Sequence, residues 1–301
     1  MPFPAKILLF GEYGILLNSK ALSMPYPRFS GRLRQQESRT GNQDSREEMS
    51  NASLQGLLRY FLLNSDKLSF IRLEQFQEEV KQGMFFDSSI PQGSGLGSSG
   101  ALTAALYDRY ALDNSINDYQ KIKSYLAAIE ACFHGVSSGI DPLTSLLKRV
   151  LLIENRNTTV AKPDLSAFFN NYSLFLINTH SNGNTGNLVA YFMEKYNETE
   201  FRARIEAEYI PVINQTIDAL CTNDIGSFQT HLAGYSQFQL SHFKRMIPEG
   251  MGKYFFDGLE SGDFFLKLCG SGGGGYLLAI SPNRQKAENY FKMNHLDFTI
   301  V

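Results

Sequence analysis

Little in this sequence favours an extracellular, membrane or nucleic-acid setting. Three cysteines among 301 residues, Cys132, Cys221 and Cys269, form no CxxC pair. An odd number without metal spacing points to buried free thiols in a reducing compartment rather than to a disulfide framework. No run approaches the roughly 18 apolar residues of a membrane-spanning helix, so no membrane partner is expected. The stretch Met1 to Leu17 is apolar but broken by Lys6, Gly11 and Glu12. It lacks the basic start and small-residue cleavage site of a secretory signal, so mature protein and a cytoplasmic location are expected. Charge excess is also missing. The 28 Lys and Arg against 30 Asp and Glu leave a formal net charge of -2 with the cations scattered, and nucleic acid is not expected as a partner. No Gly-Lys-Ser or Gly-Lys-Thr follows the glycines, which excludes a Walker A phosphate loop.

What is present describes an ordinary folded chain. Hydrophobic residues make up 43% and charged residues 19%, far from the composition of disorder. A single core stops growing near roughly 250 to 300 residues, so two lobes are expected. Ala5 to Phe10 reads as a buried strand that ends where Gly11, Glu12 and Tyr13 break its period. Arg32 to Asn51 is polar and reads as an exposed loop or the solvated start of a helix. Apolar spacing predicts helices over Leu54 to Leu63, after Gly100, and from Tyr119 to Phe133 with Gly135 to end it. Met84 to Ile90 reads as extended. In the second half, strands are expected at Val150 to Ile153, Ser173 to Ile177, Phe264 to Cys269, Tyr276 to Ile280 and Asp297 to Val301. Helices are expected around Leu188 to Tyr196, Phe201 to Leu220, Ile225 to Phe243 and Pro282 to Met293. This alternation predicts an α+β fold, with a composition shift near Lys162 to Leu165.

The turn Pro91-Gln-Gly-Ser-Gly-Leu-Gly-Ser-Ser-Gly100 leads directly into a helix. Its glycines let the backbone approach a ligand closely, and the first N–H groups of the helix carry partial positive charge, a combination suited to phosphates. A glycine-rich turn with Ser98 or Ser99 capping the helix is the other reading. Gly95, Gly97 and Gly100 also fit GxGxxG, but a dinucleotide site needs an opening strand and an acidic residue about 20 positions on, where this sequence has a helix. A second glycine run, Gly270-Ser-Gly-Gly-Gly-Gly275, lies between two apolar strands; it is either a close-approach loop or a flexible hairpin connection.

Three segments in order, Pro4-Ala-Lys-Ile-Leu-Leu-Phe-Gly-Glu-Tyr13, Pro91-Gln-Gly-Ser-Gly-Leu-Gly-Ser-Ser99 and Leu268-Cys-Gly-Ser-Gly-Gly-Gly-Gly275, resemble the three motifs of the GHMP small-molecule kinases. Glu130-Ala-Cys-Phe-His-Gly-Val-Ser-Ser-Gly-Ile-Asp141 adds a fourth likeness. The resemblance spans nearly the whole chain. It implies the two-lobed GHMP kinase fold, with a ribosomal-protein-S5-like N-terminal lobe over 1–162 and a ferredoxin-like C-terminal lobe over 163–301. It also implies transfer of the γ-phosphate of ATP, with Mg²⁺, to a small hydroxyl-bearing acceptor, by a monomer or homodimer.

The resemblance assigns roles as well. Asp141 becomes the catalytic base, and Lys6 its electrostatic partner that neutralises developing charge. Without the motifs, Lys6 would read as a surface lysine and Asp141, before Pro142, as the start of a turn. Gly93, Ser94, Gly95, Leu96, Gly97, Ser98 and Ser99 would hold the ATP phosphates. Ser99 and Glu130 would supply the hard oxygen ligands that Mg²⁺ prefers. Glu130 falls near the end of its helix, where the macrodipole disfavours a carboxylate unless a cation compensates. Glu12, Tyr13, Thr185, Gly272 and Gly273 would line the acceptor site. Tyr13 stands where a histidine is usual, and Asn18 replaces a frequent glycine at a position needing a left-handed backbone. His134 and His180 are expected to be structural.

Overall fold

In the computed structural model the described residues are 1–36, 45–113, 118–135, 137–154, 157–160, 165–181 and 185–301; for 134, 157–160 and 185–187 only the backbone is described. The strands are β1 (Phe3–Phe10), β2 (Ala21–Gln35), β3 (Met84–Ser88), β4 (Leu151–Glu154), β5 (Asn157–Val160), β6 (Ser173–Asn178), β7 (Phe265–Leu268), β8 (Tyr276–Ser281) and β9 (Asp297–Ile300). The helices are α1 (Ser45–Leu63), α2 (Leu73–Lys81), α3 (Ser98–Tyr110), α4 (Tyr119–His134), α5 (Ile140–Leu147), α6 (Ser166–Asn171), α7 (Thr185–Tyr196), α8 (Thr199–Arg204), α9 (Ile210–Cys221), α10 (Ile225–His242), α11 (Gly252–Ser261) and α12 (Arg284–Met293). Among the described residues no helix is long and apolar enough to cross a membrane.

The chain divides into two compact units. The first comprises Met1–Lys6, Met24–Pro91 and Gly97–Arg149. In it β2 pairs antiparallel with β3, Gly31 opposite Ser88 through Gln35 opposite Met84. Its core gathers rings from α1, α2 and α3: Phe61 lies 5.4 Å from Phe76, and Phe76 lies 5.0 Å from Tyr110. All three are fully buried, and packing of this kind drives the amphipathic helices together.

The second unit comprises Ile7–Ser23, Gln92–Leu96 and Val150–Val301. There Ala21–Ser23 of β2 pairs with β4, and β4 with β5. A separate antiparallel sheet runs in the order β7-β8-β6-β9. Its central strands β6 and β8 are almost wholly buried, as their apolar runs require.

Two local expectations are corrected. Arg32 to Gln35, expected in an exposed loop or the start of a helix, are instead the polar end of the long strand β2, whose pattern Pro25 and Pro27 break. The prolines, which cannot donate to a ladder, lie between the stretch paired with β4 and the stretch paired with β3. The helix expected over Phe201 to Leu220 is α8 and α9 joined by a π turn at Ile205–Tyr209. Pro211 at the start of α9 removes an N–H from the regular ladder, which accounts for the wider turn before it.

Candidate active site

In the first unit three segments distant in sequence converge. Lys6, on β1, is 3% exposed, and its Nζ lies 2.9 Å from Oδ2 of Asp141. Asp141 was expected on a tight turn. It stands instead in the first turn of α5, which follows Gly139 at φ 71°. There the helix dipole favours a carboxylate, and Pro142 is tolerated because a first-turn N–H has no intrahelical partner. The Asp141 side chain is 35% exposed while that of Lys6 is 4% exposed, so the carboxylate is the accessible member of the pair.

The glycine-rich turn enters α3 beside these residues. Gly97 is the N-cap at φ 76°, and no side chain caps the helix. The capping role expected of Ser98 or Ser99 is therefore not seen; both are helical, and the N-terminus keeps its anion-attracting character. A Cβ at Gly97 would lie 2.9 Å from Cγ of Lys6, so only glycine lets the turn pass this close to the lysine. The Ser99 hydroxyl donates to Oε1 of Glu130 at 3.4 Å. The Ser137 hydroxyl donates to Oε2 of the same carboxylate.

Glu130 is 5% exposed, far from a solvated helix-end charge. Burial, followed by the neighbouring Asp141 carboxylate, pushes its carboxyl up to about 7 against the pull of the Ser137 bond and of Lys6. These shifts tie Lys6, Ser99, Glu130 and Asp141 into one electrostatic cluster. A carboxyl raised on folding stabilises the chain at low pH, and that contribution fades as pH rises from its ordinary value near 4.5 through about 7. Thermal melts of the unliganded chain are expected to lose stability over that window, and Glu130→Gln is expected to flatten the slope there.

The second unit holds the other predicted site residues. The Gly11-Glu12-Tyr13 corner ends β1. Tyr13 has a left-handed φ of 61° and is buried, its ring 4.5 Å from Phe192 and 5.3 Å from Phe243. Its hydroxyl donates to the Ser271 carbonyl at 2.6 Å. Asn18 does adopt the left-handed backbone expected of it, at φ 67°. Glu12 is buried, 1% exposed. Its carboxylate is fully enclosed, taking a hydrogen bond from Tyr235 and an ion pair from Lys267. Burial pushes the Glu12 carboxyl up, with Lys267 pulling the other way; a buried charge is held by such partners.

Gly93, Ser94, Gly95 and Leu96 run beside the second glycine loop. A Cβ on Gly95 would lie 2.3 Å from the Cys269 carbonyl oxygen, which makes this a packed close approach rather than a flexible connection. Ser94 and Leu96 are buried, and Tyr276 N donates to the Ser94 carbonyl at 3.3 Å. Gly273 N donates to Met246 O at 2.6 Å, and Gly272 is buried. Thr185 is the first residue of α7, but its side chain, like that of His134, lies outside the described residues. His180, exposed, lies 3.5 Å from Asp297.

Lys267, Tyr235, Gln239 and Ser137 escaped the sequence expectations. Lys267 carried a signal, a lone cation inside the apolar run Phe264 to Cys269. Ser137 sat inside the quoted segment unremarked. Tyr235 and Gln239 lie on a helix whose pattern says only that it packs.

Residues 63–149 match the family model of the GHMP kinases N terminal domain. A mevalonate kinase of Pyrococcus horikoshii is 24% identical over 94% of this chain and 88% of its own. Among solved structures, the Methanococcus jannaschii mevalonate kinase aligns over 100% of this chain and 96% of its own with TM-score 0.64 and 17% identity. Lactococcus lactis galactokinase complexed with galactose aligns over 99% and 92% with TM-score 0.67 and 13% identity. The chain thus carries a match to the GHMP kinases N terminal domain over residues 63–149 and shares the two-lobed α+β fold of these solved kinases. It is like the mevalonate kinases, by sequence and by fold.

Proposed function

We propose that this chain is a GHMP kinase that transfers the γ-phosphate of ATP to the hydroxyl of mevalonate. The observation that carries the reading is the cluster in the first unit: Lys6 and Asp141 at 2.9 Å, with Ser99 and Glu130 at 3.4 Å, at the uncapped start of α3. Asp141 accepts the proton of the acceptor hydroxyl as its oxygen attacks the γ-phosphorus, and the bond from that phosphorus to the bridging oxygen of ADP breaks. Lys6, 2.9 Å from the Asp141 carboxylate, offsets charge on the transferring group. Backbone N–H groups from Gly93 to Ser99 hold the phosphates.

Ser99 and Glu130 fit a magnesium ion. They are hard oxygen donors side by side, and the buried Glu130 carboxylate takes hydrogen bonds from the Ser99 and Ser137 hydroxyls. When bound, Mg²⁺ would neutralise charge between the β- and γ-phosphates. Tyr13, Thr185, Gly272 and Gly273 belong to the acceptor side, with Glu12 acting through Tyr13. The sequence relatives favour mevalonate. The galactokinase likeness keeps a sugar acceptor as the second reading, with phosphomevalonate and homoserine as further arms of the same assay. Coupled ADP release over this panel tests it: mevalonate is expected to give turnover. Silence with mevalonate but turnover with another member would replace the acceptor.

A further inference from the structure

The end of β1 and the strand that leads into the second glycine loop share a buried polar network. β7 is an edge strand. Lys267 on it is fully buried, and its ammonium meets three acceptors: the Glu12 carboxylate, the Leu268 carbonyl at 2.6 Å and the Leu8 carbonyl at 3.2 Å. All three ammonium protons are thereby satisfied. The backbone N–H of Leu268 donates to Oε1 of Gln239 at 2.8 Å, and Gln239 Nε2 donates to the Tyr209 hydroxyl at 3.0 Å. That hydroxyl in turn donates to the Glu12 carbonyl at 3.0 Å, and Tyr235 holds the Glu12 carboxylate while accepting from Gly11 N at 3.3 Å.

Past Leu268 the loop is tied down residue by residue. Tyr13 holds the Ser271 carbonyl at 2.6 Å, Met246 O holds Gly273 N at 2.6 Å, and Ser181 O holds Gly275 N at 2.6 Å. Thr179 holds the Gly275 carbonyl through both its N and its hydroxyl, each at 2.9 Å. A run with five glycines in six residues has little conformational preference of its own. Its shape comes from these ties, and Lys267, Glu12 and Gln239 fix the strand end from which it starts.

We propose that Lys267, paired with Glu12 and supported by Gln239, is a positioning residue. It sets the Gly270–Gly275 loop against the Gly11–Tyr13 corner, and the Tyr13 hydroxyl is the clamp through which that setting reaches Ser271. The inference rests on the kinase reading only for its consequence in turnover; the geometry it describes belongs to the second unit alone. A buried ion pair exchanged for neutral groups of similar volume often leaves stability unharmed, so a neutral pair separates positioning from folding.

The test is the double variant Lys267→Met with Glu12→Gln, and separately Tyr13→Phe. Each is read by amide hydrogen exchange over the peptide spanning 268–276 without substrate, and by steady-state kinetics on the acceptor found above. In folded variants, loop exchange is expected to quicken roughly tenfold or more, because local opening no longer works against the clamp. The turnover number is expected to fall by as much as about a hundredfold, the cost of a misplacement near one ångström, with kcat/KM falling in step and KM little moved. If the double variant does not fold, Tyr13→Phe carries the test, since it deletes one hydroxyl. Wild-type exchange together with wild-type kcat in a folded variant would overturn the proposal. Faster exchange in a chain that transfers no phosphate even as wild type would support the positioning role while removing the kinase reading.

Discussion

Asp141→Asn is expected to lower the turnover number by about a hundredfold to ten-thousandfold, the range ascribed to a positioned general base. The amide keeps the shape of the carboxylate but cannot accept the acceptor's proton. Because the Asp141 side chain is 35% exposed, the fold should survive, and melting should confirm it. Nucleotide binding should persist, since the phosphate turn and α3 do not depend on the Asp141 charge. The measurement is coupled ADP release beside titration of a fluorescent ATP analogue. Turnover within a few-fold of wild type, in a variant that still binds nucleotide, would falsify the assignment of Asp141 as base and shift attention to Glu130, the other carboxylate of the cluster.

The second large effect concerns stability. Lys267→Met alone should destabilise the chain by about 3 to 5 kcal/mol, the usual consequence of removing one partner from a buried ion pair. Glu12 would then be a fully enclosed carboxylate whose compensating charge is gone, left with the Tyr235 hydroxyl. The sign of the pH dependence follows. Burial already raises the Glu12 carboxyl, and losing Lys267 raises it further, so the deficit should be greatest where the carboxylate is ionised and shrink as pH falls and the group takes up a proton. Denaturant unfolding of the single variant at several pH values, beside the double variant with Glu12→Gln, measures this. A single variant no less stable than the double would show that the pair is not the source of the cost.

Much of the architecture was legible locally. The runs that became β1, β6 and β8 are apolar because both faces are buried, and α4 and α10 announce themselves by helical spacing, since each packs on one side, while α3 is buried around most of its surface. The long strand β2 was not legible. Its prolines and polar end contradict strand propensity, and only pairing with β3 and β4 holds it extended. α5 was read as a turn because Gly139 and Pro142 look like breakers; in the structure they start a helix instead.

The sequence by itself pointed to the residues proposed to carry the chemistry. The two glycine runs stood out by their composition, and Lys6, Glu130 and Asp141 through the motifs that resemble those of the GHMP kinases. The tertiary structure decided how these residues are held. It placed Lys6 against Asp141 and Ser99 against Glu130 across long stretches of chain, and it raised the Glu130 carboxyl by burial. It also buried Glu12 and paired its carboxylate with Lys267. Burial and distance are properties of the packed chain, set by contacts between residues far apart in sequence, and no local pattern encodes them. For that reason the glutamate following the first strand reads as a ligand in the sequence and stands as part of the frame in the fold.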